Sequence, residues 1–366
     1  MNRQALRIVG VVLLSYGLAS AQQITTFDAP GAGTGSGQGT LAQGINAAGT
    51  TYGYFVDSSG VAHGFLRSEG GGFTTFDAPG AGTGSGQGTF AFSLNPEGVI
   101  TGYSIDASGT MHGYERVACG GFTTFDAPGA GTGSGLGTLA LNINASGTIA
   151  GYYIDASGVA HAYLRSRRGS YTIFEVAGAG TGAGQGTGTA TTIGLSDSGA
   201  VTGAFIDSNN ALHGYERFPD GNITTIDAPG AGTGAGQGTD TDGLNAEGTI
   251  PGPFVDSSNV LHGYVRASDG TFTTFDVPGA GTGAGQGTQP QGINLEGAIT
   301  GSSIDSSGVH HGFLRSRGGN ITTFDAPGAG TGSGQGTFPL TNNAEGAITG
   351  YEIDANGVSH GFVRSR

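Results

Sequence analysis

The sequence predicts an all-β protein, a seven-bladed β-propeller of four-stranded blades, and three observations support this prediction. A unit of about 49 residues recurs seven times with little change. Each unit contains four strand-like segments separated by turn motifs, which is the pattern of a propeller blade. The repeats also begin with a strand that the last unit lacks, and this surplus strand predicts that the chain closes into a ring.

Two motifs define the repeat and have the same spacing. The Phe-Asp pair of TTFDAPGAGTG first occurs at Phe27, and the histidine of H-G-[FY] first occurs at His63. Both recur every 49 residues, with a single interval of 52 that places a three-residue insertion around Gly188 to Ile193 in the fourth unit. The repeated histidines are His63, His112, His161, His213, His262, His311 and His360.

The four segments of the first unit are ITTFDAP from Ile24, TLAQGIN from Thr40, TTYGYFVD from Thr50 and VAHGFLR from Val61. Turns of the types N-x-x-G and D-x-[SN]-[GN] separate the last three, because an Asx side chain can bond nearby backbone amides and Gly supplies a positive φ. The Gly-rich segment GAGTGSGQG follows the first of them. We interpret this segment as a flexible loop that crosses from one blade to the next.

The ends of the chain predict how the ring closes. Pairing of Ile24–Pro30 with His360–Arg364 would complete a seventh blade and remove an exposed sheet edge, which is a liability in open sheets. The alternative architecture is a β-solenoid. A solenoid needs atypical capping units at its ends, and the sequence contains none.

The first 21 residues have the three parts of a signal peptide. Arg3 and Arg7 give a positive start, an apolar stretch runs from Ile8 to Ala19, and an A-x-A site ends at Ala21. We therefore expect residues 1–21 to be a signal peptide and 22–366 to be a single repeat domain. The expected location is secreted or periplasmic, and we expect a monomer.

Composition excludes several classes of partner. The net charge is −14 and all 13 basic residues are Arg. This charge argues against nucleic acids, which need cationic patches, and the apolar stretches do not predict membrane insertion. Cys119 is the only cysteine, so there is no disulfide framework. We interpret Cys119 as a tolerated surface residue, with an intermolecular disulfide as the alternative.

The segment D-x-S-G-x-x-H-[GA]-[FY]-x-R, and His161-Ala162-Tyr163 in particular, resembles a bacterial extracellular repeat family that is named for its His-Ala-Phe tripeptide. The resemblance covers residues 24–366. This chain differs in having H-G-[FY] in six of its seven units. The resemblance implies export and a repeat fold, and it implies no established activity.

Two rings of acidic residues are predicted on the face that carries the Gly-rich loops. Oxygen ligands on loops suit Ca²⁺, so calcium is a possible cofactor; the alternative is that each Asp caps its own turn. The inner acids, which are the candidate metal ligands, are Asp57, Asp106, Asp155, Asp207, Asp256, Asp305 and Asp354. The outer acids are Asp28, Asp77, Asp126, Glu175, Asp227, Asp276 and Asp325.

Other recurrent residues suggest structural roles. The histidines lie one to a blade, so we expect each imidazole to bond a neighbouring Asp or backbone group rather than to share one metal ion. We expect the Arg that ends each H-G-[FY] strand to lie toward the opposite face and to pair with acids or carbonyls. These residues are Arg67, Arg116, Arg165, Arg217, Arg266, Arg315 and Arg364.

The candidate catalytic residues are Asp240 and Asp242, which occupy one innermost strand where the first unit has Leu41 and Gln43. Paired carboxylates in a central channel could serve in acid–base chemistry, although a solvated channel wall explains them as well. The leading functional hypothesis is a secreted, non-enzymatic binding or scaffold module for a repetitive surface polysaccharide. The alternatives are a hydrolase or lyase that uses these two residues, and a structural calcium-binding propeller.

Overall fold

A computed structural model describes residues 22–188 and 193–366. The predicted signal peptide and residues 189–192 of the fourth-unit insertion lie outside these ranges. Within them every strand or helix that is assigned is a β-strand. The described residues contain no helix that is long and apolar enough to cross a membrane.

The strands are β1 (Ile24–Phe27), β2 (Gly39–Ile45), β3 (Thr51–Val56), β4 (Ala62–Arg67), β5 (Phe73–Phe76), β6 (Gly88–Leu94), β7 (Ile100–Ile105), β8 (Met111–Arg116), β9 (Phe122–Phe125), β10 (Gly137–Ile143), β11 (Ile149–Ile154), β12 (Ala160–Arg165), β13 (Tyr171–Phe174), β14 (Gly186–Thr187), β15 (Gly194–Leu195), β16 (Val201–Ile206), β17 (Leu212–Arg217), β18 (Ile223–Ile226), β19 (Gly238–Thr239), β20 (Ile250–Val255), β21 (Leu261–Arg266), β22 (Phe272–Phe275), β23 (Gly287–Ile293), β24 (Ile299–Ile304), β25 (His310–Arg315), β26 (Ile321–Phe324), β27 (Gly336–Asn342), β28 (Ile348–Ile353) and β29 (Ser359–Arg364). The seven units are numbered below from the Gly-Thr pair that begins β2.

Strand pairing closes the chain on itself. Within the first unit β2, β3, β4 and β5 pair in sequence as antiparallel neighbours. A parallel bridge between Ala62 and Gly88 then joins this unit to the next one. At the end of the chain β29 pairs with β1, with Ile24 opposite Arg364. The predicted closure by the N-terminal strand is therefore confirmed, and the described strands form one closed sheet.

The H-G-[FY] motif builds the core of each unit. Its aromatic side chain is fully buried in every copy, as at Phe65 and Tyr114. The preceding Gly64 lies beneath the ring of Phe76 on the neighbouring strand, and a Cβ at this position would overlap that ring. The lack of a Cβ at Gly64 thus lets two strands bring their aromatic rings into one packed layer. Unit 3 has Ala162 at the equivalent position.

The Gly-rich loop crosses from one unit to the next, as expected, and side-chain hydrogen bonds hold it in a defined turn. The buried hydroxyl of Thr40 accepts a hydrogen bond from the Ala29 amide at 2.9 Å. Inside the loop, Gln38 Oε1 accepts from the Gly35 amide at 2.8 Å, while its Nε2 donates to the Ser58 carbonyl at 3.1 Å. A buried backbone group needs such a partner, and Thr40 supplies one for the Ala29 amide, whereas the two hydrogen bonds of Gln38 hold the exposed part of the loop.

The Asn of the N-x-x-G turns ties consecutive units together. Asn343 Oδ1 caps its own turn by accepting from the Ala347 amide at 2.9 Å, and its Nδ2 donates to the Asn46 carbonyl of the first unit at 3.0 Å. The same donation joins Asn95 to Asn144 and Asn294 to Asn343. These bonds run around one mouth of the ring and reinforce its closure.

Unit 5 departs from the predicted strand pattern. The innermost strand of unit 5 ends at Thr239, so Asp240 and Asp242 lie beyond β19 rather than on a regular strand, which corrects the prediction. The partner strand carries Pro251 and Pro253, which have no N–H to donate. Only half of the hydrogen-bond ladder therefore remains. The amides of Asp240 and Asp242 donate to the carbonyls of Pro253 and Pro251, but the two prolines cannot donate in return.

The recurrent Arg side chains pack at the junctions between units, mainly by stacking on aromatic rings. Arg67 places its guanidinium carbon 4.5 Å from the ring centroid of Phe27, on the outer strand of the preceding unit. Six of the seven make such a contact. Arg266 instead forms an ion pair with Glu216 at 3.1 Å. The expected pairing with acids or carbonyls holds for four of the seven: Arg165 and Arg266 pair with acids, and Arg217 and Arg315 donate to backbone carbonyls. The aromatic contacts were not expected, although a guanidinium also binds an aromatic face.

Candidate functional site

The inner acids cap their own turns in all seven units. Asp57 Oδ1 accepts from the amides of Ser59 at 2.8 Å and Val61 at 2.9 Å. The hydrogen bond from Val61 is the main cause that lowers the pKa of Asp57. In unit 2 the hydroxyl of Ser108 adds a further bond and lowers the pKa of Asp106 to about 2. These carboxylates are therefore anionic over the physiological pH range.

The repeated histidines join the inner and outer acids, as expected. His63 Nδ1 lies 2.8 Å from Asp77 Oδ1, and its Nε2 lies 3.7 Å from Asp57 Oδ2. Because a carboxylate only accepts hydrogen bonds, Nδ1 carries the proton. We call each such group a rim cluster. The seven rim clusters are Asp57–His63–Asp77, Asp106–His112–Asp126, Asp155–His161–Glu175, Asp207–His213–Asp227, Asp256–His262–Asp276, Asp305–His311–Asp325 and Asp354–His360–Asp28.

The rim clusters present carboxylates to solvent. The outer acid side chains are 48% exposed at Glu175 and 58% exposed at Asp276, whereas the histidines are only about a quarter to a third exposed. Each cluster lies beside a Gly-rich loop, since the Gly86 amide donates to the Gly60 carbonyl of the adjoining turn. Among the described residues no group of three or more His, Cys, Asp or Glu has the geometry to hold a metal ion.

An aromatic ring supports the imidazole in four of the units. The ring of Phe55 stacks on His63 with 5.0 Å between centroids. Tyr153, Phe205 and Phe254 do the same in units 3, 4 and 5. The equivalent residues in the remaining units are Ser104, Ser303 and Glu352.

Glu352 is an acidic residue beside a rim cluster that was not predicted from the sequence. Its side chain replaces the aromatic ring beside His360, and it is only 2% exposed. Its Oε2 has no hydrogen-bond partner. Burial raises the pKa of Glu352 to about 7, with the nearby Asp354 and Asp28 adding to the rise and His360 opposing it.

A central cavity of about 610 Å³ is lined by all seven units. The innermost strands carry a β-bulge that aims one residue of each into this cavity, as at Gln43 between Ala42 and Gly44. Equivalent bulges occur in units 2, 3, 6 and 7. The bulge residues that line the cavity are Gln43, Phe92, Leu141, Gln291 and Leu340, and Asp242 lines it from unit 5.

The two candidate catalytic residues have different positions. Asp242 lines the cavity and is nearly buried, at 5% exposure. Asp240 is not among the residues that line it; its Oδ1 accepts from the Thr241 amide at 2.8 Å. Surrounding protein atoms displace water from the carboxyl group and raise the pKa of Asp240 to about 6. Tyr264, whose hydroxyl donates to the Asp240 carbonyl at 2.7 Å, holds this segment in place.

Cys119 is a free, exposed thiol. It lies in the turn that joins β8 to β9, where the Gly120 amide donates to the Val117 carbonyl. The surface position agrees with the sequence-based interpretation.

Comparison with known proteins identifies the fold. No family model matches the chain, and no curated protein matches it. Among solved structures, the BP39L lectin from Burkholderia pseudomallei is 13% identical, with a TM-score of 0.57 over 89% of this chain and 95% of that one. A puromycin hydrolase is 12% identical, with a TM-score of 0.51 over 87% of this chain and 51% of that one. The protein therefore has an all-β, propeller-like repeat fold, as the sequence predicted.

Proposed function

We propose that this protein is a secreted, non-enzymatic glycan-binding module, built as a seven-bladed propeller with four strands in each blade. The observation that carries the proposal is the repetition of one surface group. Seven rim clusters with the same chemistry lie on loops that adjoin one another around the ring. Carboxylate oxygens accept hydrogen bonds from sugar hydroxyl groups, and the outer acids are the most exposed members of the clusters.

Repetition favours a repetitive ligand. A polysaccharide that contacts several rim clusters at once gains affinity through effective concentration, without any single strong site. The lectin with the same fold supports the class of function. Aromatic stacking contributes little on this rim, because the rings beneath the histidines, such as Phe55 and Phe254, are buried.

We predict that neutralising all the outer acids abolishes glycan binding, whereas neutralising one has a small effect. The sevenfold variant changes Asp28, Asp77, Asp126, Asp227, Asp276 and Asp325 to Asn and Glu175 to Gln. Binding would be measured on an array of immobilised oligosaccharides and polysaccharides. Asp77→Asn alone should weaken polysaccharide binding no more than about threefold, because six clusters remain.

The matched control is Asp269→Asn. Asp269 also caps its own turn, by accepting from the Thr271 amide at 2.9 Å, but it lies in a hairpin that joins β21 to β22, away from the rim clusters. The measurement is repeated with millimolar Ca²⁺ and with a chelator. If both the glycan binding and the melting temperature depend on calcium, a metal site rather than direct contacts between carboxylates and sugar explains the binding. Equal binding by the sevenfold variant and the native protein would refute the proposal.

A hydrolase or lyase that uses the central cavity is the second candidate. Its support is the pair of Asp240, whose pKa is raised to about 6, and Asp242, which lines the cavity. Such an enzyme would lose turnover in both Asp240→Asn and Asp242→Asn while keeping its melting temperature. The measurement is the release of new reducing ends from the polysaccharides that the array identifies. Native-like turnover in either variant would eliminate this candidate.

A further inference from the structure

The wall of the central cavity is asymmetric, although the scaffold around it is repeated. The residues that the β-bulges aim inward include glutamine, phenylalanine and leucine, and unit 5 contributes an aspartate instead. A channel with only a structural role does not require a different residue from each unit. The variation instead defines one cavity with distinct sides, which suits a single ligand.

One side of the cavity is aromatic. Units 7, 1 and 2 are neighbours in the ring and contribute Phe338, Tyr351, Tyr52, Tyr54 and Phe92 to the lining. The rings of Phe338 and Tyr351 stack with 5.0 Å between centroids. The ring centroids of Tyr54 and Phe92 lie 6.3 Å apart. These contacts fix the rings in place, so the aromatic wall is formed before any ligand binds.

The other side is polar and acidic. Asp242 of unit 5 lies there, with Gln289, Gln291 and Ser302 of unit 6 beside it. In a ring of seven units, unit 5 lies across from units 1 and 2, so Asp242 and the aromatic wall line opposite sides of the cavity. The described lining residues include no Arg, and Asp242 is the only Asp or Glu among them.

We propose that this cavity binds a small organic cation, an ammonium compound with an apolar or sugar-like body. An aromatic face attracts a cation through its quadrupole, and a carboxylate in a confined, weakly polarisable site attracts it through its charge. The amide oxygens of Gln289 and Gln291 accept hydrogen bonds from an ammonium group. A cavity of about 610 Å³ holds a molecule of this size. The net charge of −14 concentrates cations near the protein and repels anions.

The test is isothermal titration calorimetry with two pairs of probes. Choline and glucosamine are the cations, and 3,3-dimethylbutan-1-ol and glucose are their neutral counterparts of similar shape. We expect at least one of the two cations to bind with one site per chain, and its neutral counterpart to bind at least about tenfold more weakly. Asp242→Asn should weaken the cation by about tenfold, and Gln291→Glu, which adds a second carboxylate on the same side, should tighten it severalfold.

Two controls separate this site from the rim clusters and from misfolding. Asp77→Asn, in a rim cluster, should bind the cation as the native protein does. Tyr54→Leu should weaken the cation while leaving polysaccharide binding on the array unchanged. The proposal is overturned if neither cation binds at 10 mM, if the neutral counterparts bind as tightly, or if Gln291→Glu and Asp242→Asn both match the native affinity.

Discussion

Deletion of residues 22–30 is expected to destabilise the protein by on the order of 5 kcal/mol, which corresponds to a fall of about 10 °C in the melting temperature. The deleted segment forms the four-residue ladder between β1 and β29. It also carries Phe27, whose ring packs against Phe65 and Phe73 and lies under the guanidinium of Arg67. The loss therefore removes a strand, an apolar cluster and a cation–π contact at one junction.

A circular permutant provides the matched control for the deletion. Residues 31–366 followed by 22–30 on a short linker contain the same residues as the protein that starts at residue 22, and only the position of the break in the chain changes. This permutant should melt near the temperature of the native protein, followed by circular dichroism. Melting of the deletion variant at the native temperature, or failure of a folded permutant to recover stability, would contradict closure by β1.

The repeat made most of the scaffold predictable from sequence. Strand order, the closure by Ile24–Phe27 and the pairing of His63 with an acid follow from periodicity and from the need of buried polar groups for partners. Periodicity describes what all units share. It cannot show which of several satisfactory partners a residue takes, and the Arg67 guanidinium contacts the ring of Phe27 where an acid or a carbonyl was expected.

The features that distinguish the units were harder to predict. The early end of the unit 5 strand could have been inferred from Pro251 and Pro253, since two residues without N–H groups disrupt a ladder. The asymmetric cavity depends on β-bulges, whose extra residue shifts which side chain points inward. No turn motif marks those bulges, so the sequence did not reveal that Gln43 and Phe92 face the same cavity.

Glu352 was missed for a related reason, because it lies at a position that is aromatic in four units. Its burial leads to the second large prediction, which concerns stability and pH. The pKa of Glu352 is about 7 in the folded protein against an ordinary value of 4.5. The folded protein thus retains a proton that the unfolded chain has lost, and the free energy of unfolding falls as the pH rises from about 4.5 to above 7.

Glu352→Gln should remove this pH-dependent loss. We expect the variant to match the native protein near pH 4 and to be more stable by on the order of 2 kcal/mol at pH 8, measured by urea unfolding across the range. Glu352→Phe should gain at least as much, because it would restore the ring that Phe55 places on His63 in unit 1. The control is Glu247→Gln, which changes an exposed acid that pairs with Arg317. Its stability relative to the native protein should not increase with pH.

The two Glu352 variants also separate the causes of the effect. If the buried charge alone is responsible, Gln and Phe remove the same pH-dependent loss, and any extra gain from Phe is constant with pH. If the carboxylate of Glu352 is held by a partner at neutral pH, such as the side chain of His360, both variants lose stability there. A native protein whose stability does not fall between pH 4.5 and 8 relative to Glu352→Gln would show that Oε2 is solvated, and that this position is not a strained exception to the aromatic pattern.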